Sequence, residues 1–215
     1  MNLPDRFRAQ LDALPLLAIL RGLRPEDAVA VGTILVEEGI RLLEVPMNSP
    51  DPLESVRRMR RALGDEALVG VGTLIDRDRL EEVIAAGAQV VVTPHFDPSL
   101  VAATRAKGLV SLPGVLSPTE AFAALAAGAH ALKLFPAEAC PPPMVHAIRA
   151  VLPPETILLP VGGIREESMA PYFSAGASGF GLGGRLFKPG MDLETIRSRA
   201  RSLVASALLA RKARP

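Results

Sequence analysis

The chain has 215 residues, with 24 Lys+Arg against 23 Asp+Glu and a formal net charge of +1. That balance leaves no basic excess to hold a nucleic-acid backbone, so a nucleic-acid partner is not expected. A hydrophobic content of 49% against 22% charged residues excludes a disordered chain and suits one core at the size of a single α/β domain, taken as residues 1–215. Aromatic residues are scarce, with no Trp, one Tyr and seven Phe, so the core is left to Leu, Val, Ile and Ala.

No apolar run approaches the roughly 18 residues of a transmembrane helix, and no membrane partner is expected. The apolar run 13–20 follows Arg6 and Arg8, contains Pro15 and ends in Arg21-Gly22 without a small-residue cleavage site. It is read as a first strand rather than a signal peptide. The single cysteine, Cys140, allows no intrachain disulfide and fits a reducing cytoplasm. One cysteine and three scattered histidines give no metal-ligand spacing, so no metal or other cofactor is expected. Arg211, Lys212 and Arg214 read as a solvated tail beside a helix C-terminal dipole.

In chain order, residues 3–13 predict a short amphipathic helix, and 16–20 a continuous apolar strand. Pro25-Glu26-Asp27 opens a helix that runs to Glu38 and stops at Gly39, since proline suits the first turn and acids its positive end. Residues 42–45 predict a second strand ended by Pro46, and 52–63 a helix. Residues 68–74 predict the third strand, 77–86 a helix stopped by Gly87, and 90–93 the fourth strand, ended by Pro94. A helix over 98–107 stops at Gly108, and strand 109–112 is ended by Pro113-Gly114. Ser117-Pro118-Thr119-Glu120 has the pattern of a capping box; its helix stops at Gly128. Strand six covers 131–136, helix six 141–152, strand seven 157–161 before Gly162-Gly163, and helix seven 165–175 before Gly176. Strand eight covers 179–182 before Gly183-Gly184, and Asp192 caps a last helix to about residue 210.

The glycines that stop helices repeat. Gly39 and Gly87 lie 48 residues apart, as do Gly128 and Gly176, and Ala-Gly-Ala marks the same point at 86–88, 127–129 and 175–177. Strand, loop and helix thus recur about every 20 to 25 residues. Strands that are apolar throughout are the parallel kind covered on both faces. Eight such units predict a (β/α)8 TIM barrel preceded by a short helix, with an open doubly wound sheet as the alternative.

In such a barrel the site lies at the C-terminal ends of the strands, where the unusual residues collect. In Ala131-Leu132-Lys133-Leu134-Phe135-Pro136, alternation puts Ala131, Lys133 and Phe135 on one face. A lysine buried there either snorkels to water or meets a carboxylate, or it loses its proton and becomes an imine-forming nucleophile. Glu44, in an equally apolar strand, is either its structural partner or a general acid/base with a raised pKa. Gly162, Gly163, Gly183 and Gly184 end strands seven and eight, where barrels hold phosphate on backbone N–H groups. Arg21 offers a bidentate fork for a carboxylate. Thr73 and Pro94 stand at strand ends, and Phe135 is core or pocket wall. His95 is a weaker candidate on the same rim, His130 reads as bottom-face filler, and Cys140 and His146 as chemically idle.

The runs Leu17-Ala18-Ile19-Leu20-Arg21-Gly22, Glu44-Val45-Pro46-Met47-Asn48-Ser49, Gly70-Val71-Gly72-Thr73, Val92-Thr93-Pro94, Leu132-Lys133-Leu134-Phe135-Pro136 and Val161-Gly162-Gly163-Ile164 together resemble the KDPG/KDPGal aldolase family over about residues 14–190. The resemblance implies a cofactor-free class I aldolase, usually a cytoplasmic homotrimer. Its partners would be a 2-keto-3-deoxy-6-phospho sugar acid, the pyruvate cleaved from it, and glyceraldehyde 3-phosphate. By carry-over Lys133 forms the Schiff base and Glu44 moves protons. Arg21 and Thr73 hold the carboxylate end, and Gly163, Gly183 and Gly184 lie at the phosphate. Asn48, where the gluconate branch commonly has arginine, and Val161, where it usually has threonine, resemble the galactonate branch. Gly184 replaces a serine often found in relatives, and Arg185 is a candidate to compensate. A phosphosugar isomerase or epimerase, or a non-catalytic phosphosugar sensor, would use the same glycine pairs without an imine.

Overall fold

A computed structural model describes residues 1–213; Arg214 of the basic C-terminal cluster lies outside them. The strands are β1 Leu16–Ile19, β2 Leu42–Pro46, β3 Leu68–Gly72, β4 Val90–Val92, β5 Val110–Leu112, β6 Gly114–Val115, β7 Leu132–Leu134, β8 Leu158–Pro160 and β9 Phe180–Leu182. The α-helices are α1 Leu3–Ala13, α2 Pro25–Glu37, α3 Pro52–Leu63, α4 Leu80–Ala85, α5 Pro98–Ala106, α6 Pro118–Ala126, α7 Pro142–Arg149, α8 Met169–Ser174 and α9 Leu193–Lys212. Every residue of every strand is buried, as strands covered on both faces require.

The strands form a six-stranded parallel sheet in the order β5-β4-β3-β2-β1-β9 and a three-stranded parallel sheet in the order β6-β7-β8. A parallel bridge between Val161 and Gly181 joins the two at β8 and β9. At the other junction Pro113 separates β5 from β6. Proline lacks the N–H a ladder needs, so the predicted strand over 109–112 breaks there and resumes beyond it. Across the break Lys133 N–H donates to the Pro113 carbonyl at 3.0 Å and His130 N–H to Ser111 at 3.0 Å.

Other boundaries move for local reasons. The third strand stops at Gly72, because Thr73 adopts φ 55° and leaves the extended region. The helices predicted over 77–86 and 165–175 each begin as a 3-10 turn, Arg77–Arg79 and Glu166–Ser168, ahead of α4 and α8. The glycines that end the repeat units at 39, 87, 128 and 176 all have positive φ. At α6 the capping box forms: Glu120 Oε2 accepts from Ser117 N–H at 2.8 Å, and Ser117 Oγ accepts from Glu120 N–H at 3.3 Å. Arg197 and Arg201 on α9 pair with Glu38 at the end of α2.

Alternation divides the apolar residues into two clusters. Leu43, Val45, Leu132 and Leu134 pack outward with the helices. The other face supplies Leu17, Ile19, Leu42, Leu68, Val90, Val110, Ala131, Leu159 and Val161 from both sheets, and the cluster includes Phe7 and Leu11 of α1. The first helix thus covers the end of the sheets where the strands begin. Asn2 caps it, accepting from Asp5 N–H at 2.9 Å, and Phe7 is 1% exposed. Phe7→Ala would leave a cavity in this cluster. It should lower the unfolding free energy by about 3–5 kcal/mol, read from the urea midpoint; a shift near zero would mean that the cluster does not depend on α1.

Candidate active site

Two charged side chains face the second cluster from opposite sides of the fold. Lys133 occupies the middle of β7 and is 5% exposed; Glu44 occupies the middle of β2 and is 1% exposed. Burial raises the Glu44 carboxyl to about 7, with the Lys133 and Arg21 charges offsetting part of the effect. Burial also lowers the Lys133 ammonium, partly restored by Glu44 and lowered further by Arg21. Neither group is quenched by a contact pair, since among the described residues Lys133 forms no ion pair. Glu44 Oε2 is buried and accepts no hydrogen bond from the protein. The Lys133 ammonium sits 4.7 Å from the centre of the Phe135 ring. Phe135, at 36% exposed, is therefore not core. Gly72, at the end of β3, makes room for the carboxylate: a Cβ there would overlap the Glu44 carboxyl group.

The rim above this pair carries the other expected residues. Arg21 follows β1 and donates to Asn48 Oδ1 at 2.6 Å and, at the limit of a hydrogen bond, to Thr73 Oγ1 at 3.5 Å. Gly22 N–H donates to Ser49 Oγ at 2.9 Å, which ties the loops after β1 and β2 together. Thr73 has left-handed backbone, an unfavourable region for a β-branched residue. Pro94 follows β4, and its carbonyl leaves no space for a side chain at Gly114. His95 beyond it is exposed. His130 lies away from the rim: its Nδ1 accepts from Ser111 N–H at 3.1 Å. Cys140 is buried, with its thiol pushed up by burial.

On the same rim opens a cavity of about 410 Å³, whose lining includes Val161, Gly162, Gly163, Gly183, Gly184 and Arg21, the charge that acts on both Lys133 and Glu44. Gly162 and Gly163 have φ of 112° and 61°, conformations that a side chain would strain. Among the described residues the N–H groups of Gly163, Gly184 and Arg185 donate to no protein acceptor. Unpaired N–H groups on residues that line a cavity can receive an anion. Arg185 lines the same cavity, but its guanidinium pairs with Glu166 at 2.9 Å. Lys188 and Arg165 also line it and were not apparent from sequence: Lys188 sits on a loop with no periodic signal, and Arg165 opens a predicted helix, where an exposed cation is ordinary.

The sequence matches the family described as "Aldolase: KDPG and KHG aldolase" over residues 7–197. The chain belongs to the KDPG and KHG aldolase family. It is 42% identical over 192 residues to a "Probable 2-dehydro-3-deoxy-6-phosphogalactonate aldolase" of Rhizobium meliloti, covering 89% of this chain and 91% of that one. It is 37% identical over 191 residues to the 2-dehydro-3-deoxy-6-phosphogalactonate aldolase of Escherichia coli, covering 89% and 93%. A solved structure described as "Native KDPGal structure" superposes with a TM-score of 0.91 at 36% identity, covering 93% of this chain and 97% of that one.

An aldolase makes or breaks a carbon–carbon bond beside a carbonyl, which needs an electron sink and a group that moves protons. A buried amine with lowered proton affinity and a buried carboxyl with raised proton affinity are suited to those tasks. The Glu44 shift also enters stability. Its folded pKa of about 7 exceeds the ordinary 4.5, so the folded chain holds a proton that the unfolded chain releases. That contribution is complete below about pH 4.5 and is lost as pH rises through about 7. Relative to Glu44→Gln, the wild type should therefore lose on the order of 3 kcal/mol between pH 4.5 and 8, measured by urea unfolding across that range. A difference independent of pH would place Glu44 in an ordinary aqueous environment.

Proposed function

We propose that the chain is a class I aldolase that cleaves 2-keto-3-deoxy-6-phosphogalactonate, and also 2-keto-3-deoxy-6-phosphogluconate, to pyruvate and glyceraldehyde 3-phosphate. The observation that carries the proposal is the burial of Lys133 and Glu44 without a direct partner, the Glu44 carboxyl being unbonded at Oε2 and raised to about 7. The names of the relatives at 37% and 42% identity support the galactonate substrate. The chain forms one (β/α)8 barrel domain. Support comes from the Val161–Gly181 bridge, the hydrogen bonds across Pro113 and the cluster shared by both sheets. A cytoplasmic homotrimer completes the proposal; no described helix is long and apolar enough to cross a membrane.

The neutral Lys133 amine attacks the C2 ketone, and loss of water gives a protonated imine. Glu44, as carboxylate, takes the proton of the C4 hydroxyl. The C3–C4 bond breaks, the aldehyde leaves, and the bonding pair moves into the imine to form an enamine. Glu44 returns the proton to C3, and water hydrolyses the imine to release pyruvate and regenerate the amine. Arg21, with Asn48 and Thr73 as its hydrogen-bond partners, holds the substrate carboxylate. Pro94 and Phe135 wall the reacting carbons, and the N–H groups at Gly162, Gly163, Gly183 and Gly184 face the phosphate.

Borohydride reduction in the presence of pyruvate should attach a pyruvyl group to the wild type and none to Lys133→Ala, as read by mass spectrometry. An adduct on the variant would remove Lys133 from its role. Because the imine is the electron sink, cleavage should survive EDTA; loss on chelation, restored by a divalent ion, would overturn the class I assignment. Val161, 6% exposed on the cavity wall, cannot donate to the C4 hydroxyl that distinguishes the two epimers. kcat/KM for the galactonate epimer should equal or exceed that for the gluconate epimer. Val161→Thr should shift the ratio toward gluconate by roughly tenfold, the worth of one hydrogen bond. A strong gluconate preference that is insensitive to Val161→Thr would defeat the galactonate assignment.

A further inference from the structure

The cavity on the rim is lined by cations of unequal freedom. Arg21 is engaged by Asn48 and Thr73. Arg185 is paired with Glu166 at 2.9 Å, and Arg165 lies 4.0 Å from Glu167. Lys188 has no acidic partner among the described residues; no carboxylate is among the residues lining the cavity, and the Glu138 carboxylate packs against Gly162 and Gly163 at its edge. The N–H cradle also has no hydroxyl side chain on its glycines. Backbone N–H groups carry only partial charge, whereas an ammonium is a full, compact charge that can approach a dianion from several directions.

The backbone around Lys188 is fixed on both sides. Phe187 and Leu186 before it are buried, and their N–H groups donate to the Gly183 carbonyl at 3.0 and 2.8 Å. Pro189 after it packs so closely on Gly22 that a Cβ at position 22 would overlap the proline ring. Arg199 of α9 donates to the Gly184 carbonyl at 3.4 Å and the Arg185 carbonyl at 3.3 Å, so the turn is also tied from outside. From this clamped position the Lys188 stem crosses Gly184, with Cε 3.7 Å from the site of a Cβ on that glycine. The exposed Lys188 side chain thus runs along the glycine turn, in van der Waals reach of Gly184.

We propose that Lys188 is a substrate-binding residue that contacts the phosphate of the substrate and supplies the formal charge that the glycine cradle lacks. The proposal rests on the aldolase reading above. Arg185, the nearer candidate by sequence, is occupied by Glu166 and serves the loop.

The test compares condensation of pyruvate with glyceraldehyde 3-phosphate and with unphosphorylated glyceraldehyde. In Lys188→Ala, kcat/KM for the phosphorylated aldehyde should fall roughly 10- to 100-fold, the range of one charge-assisted hydrogen bond. The unphosphorylated aldehyde should change by less than about twofold, and Lys188→Arg should recover most of the loss. Inorganic phosphate should bind Lys188→Ala about tenfold or more weakly than the wild type by calorimetry. Equal losses for both aldehydes, or wild-type behaviour with the phosphorylated one, would overturn the assignment. A wild type that forms no borohydride-trapped pyruvyl adduct would instead defeat the aldolase reading, and the phosphate titration would still decide whether Lys188 holds an anion.

Discussion

The structure depends on placing one amine and one carboxyl in an interior that offers neither of them a direct partner. Water would stabilise both charges by several kcal/mol, and apolar strands remove that stabilisation. Each group responds by moving toward its neutral form, and each tempers the other from across the cluster. A close salt bridge would restore ordinary titration and leave the amine protonated and unreactive. Separation without solvent lowers the Lys133 ammonium and leaves the Glu44 carboxyl at about 7, where it exchanges protons at neutral pH. The stability lost at Glu44 is thus inseparable from its chemical use.

Parallel strands turn that local arrangement into a site. Because every strand runs in the same direction, their C-terminal ends share a rim, and one rim collects Arg21, Asn48, Thr73, the glycine pairs and Lys188 from distant parts of the chain. The opposite end is occupied by Phe7 and Leu11 of α1. The outward leucines and valines of the same strands bind the helices, so the rim loops stand on a rigid base and carry most of the side chains that can vary in function.

Much of this was legible because charge in an apolar strand is conspicuous. Lys133 and Glu44 stand out against their neighbours, and alternation puts Lys133 on the face of Ala131, which lies in the second cluster. The helix-ending glycines disclosed the repeat, and the Ser117 capping box formed as its spacing requires. What stayed hidden depends on closure in three dimensions. Pro113 was read as the end of a strand, because its neighbour across the break, Lys133, lies 20 residues on. Asn48 was read by its difference from relatives and not as the acceptor for Arg21. Lys188 sits among loop residues without period, and only the fixed turn between Phe187 and Pro189 gives it a direction. The short strands that begin and end away from their predicted limits reflect Thr73 and Pro113, whose backbones refuse the ladder.

Gly72 has one more consequence. The space that its missing side chain would fill is the space that the Glu44 carboxyl occupies, so the two positions, 28 residues apart in sequence, share a single volume. Any residue with a Cβ at 72 competes directly with the carboxyl, and Glu44 has no second place on an apolar strand to retreat to. The two sites are free to change only in concert: a larger residue at 72 demands a shorter one at 44. A position with no functional group of its own is therefore bound by the same constraint as the acid it accommodates, and a lesion there would act through the Glu44 carboxyl.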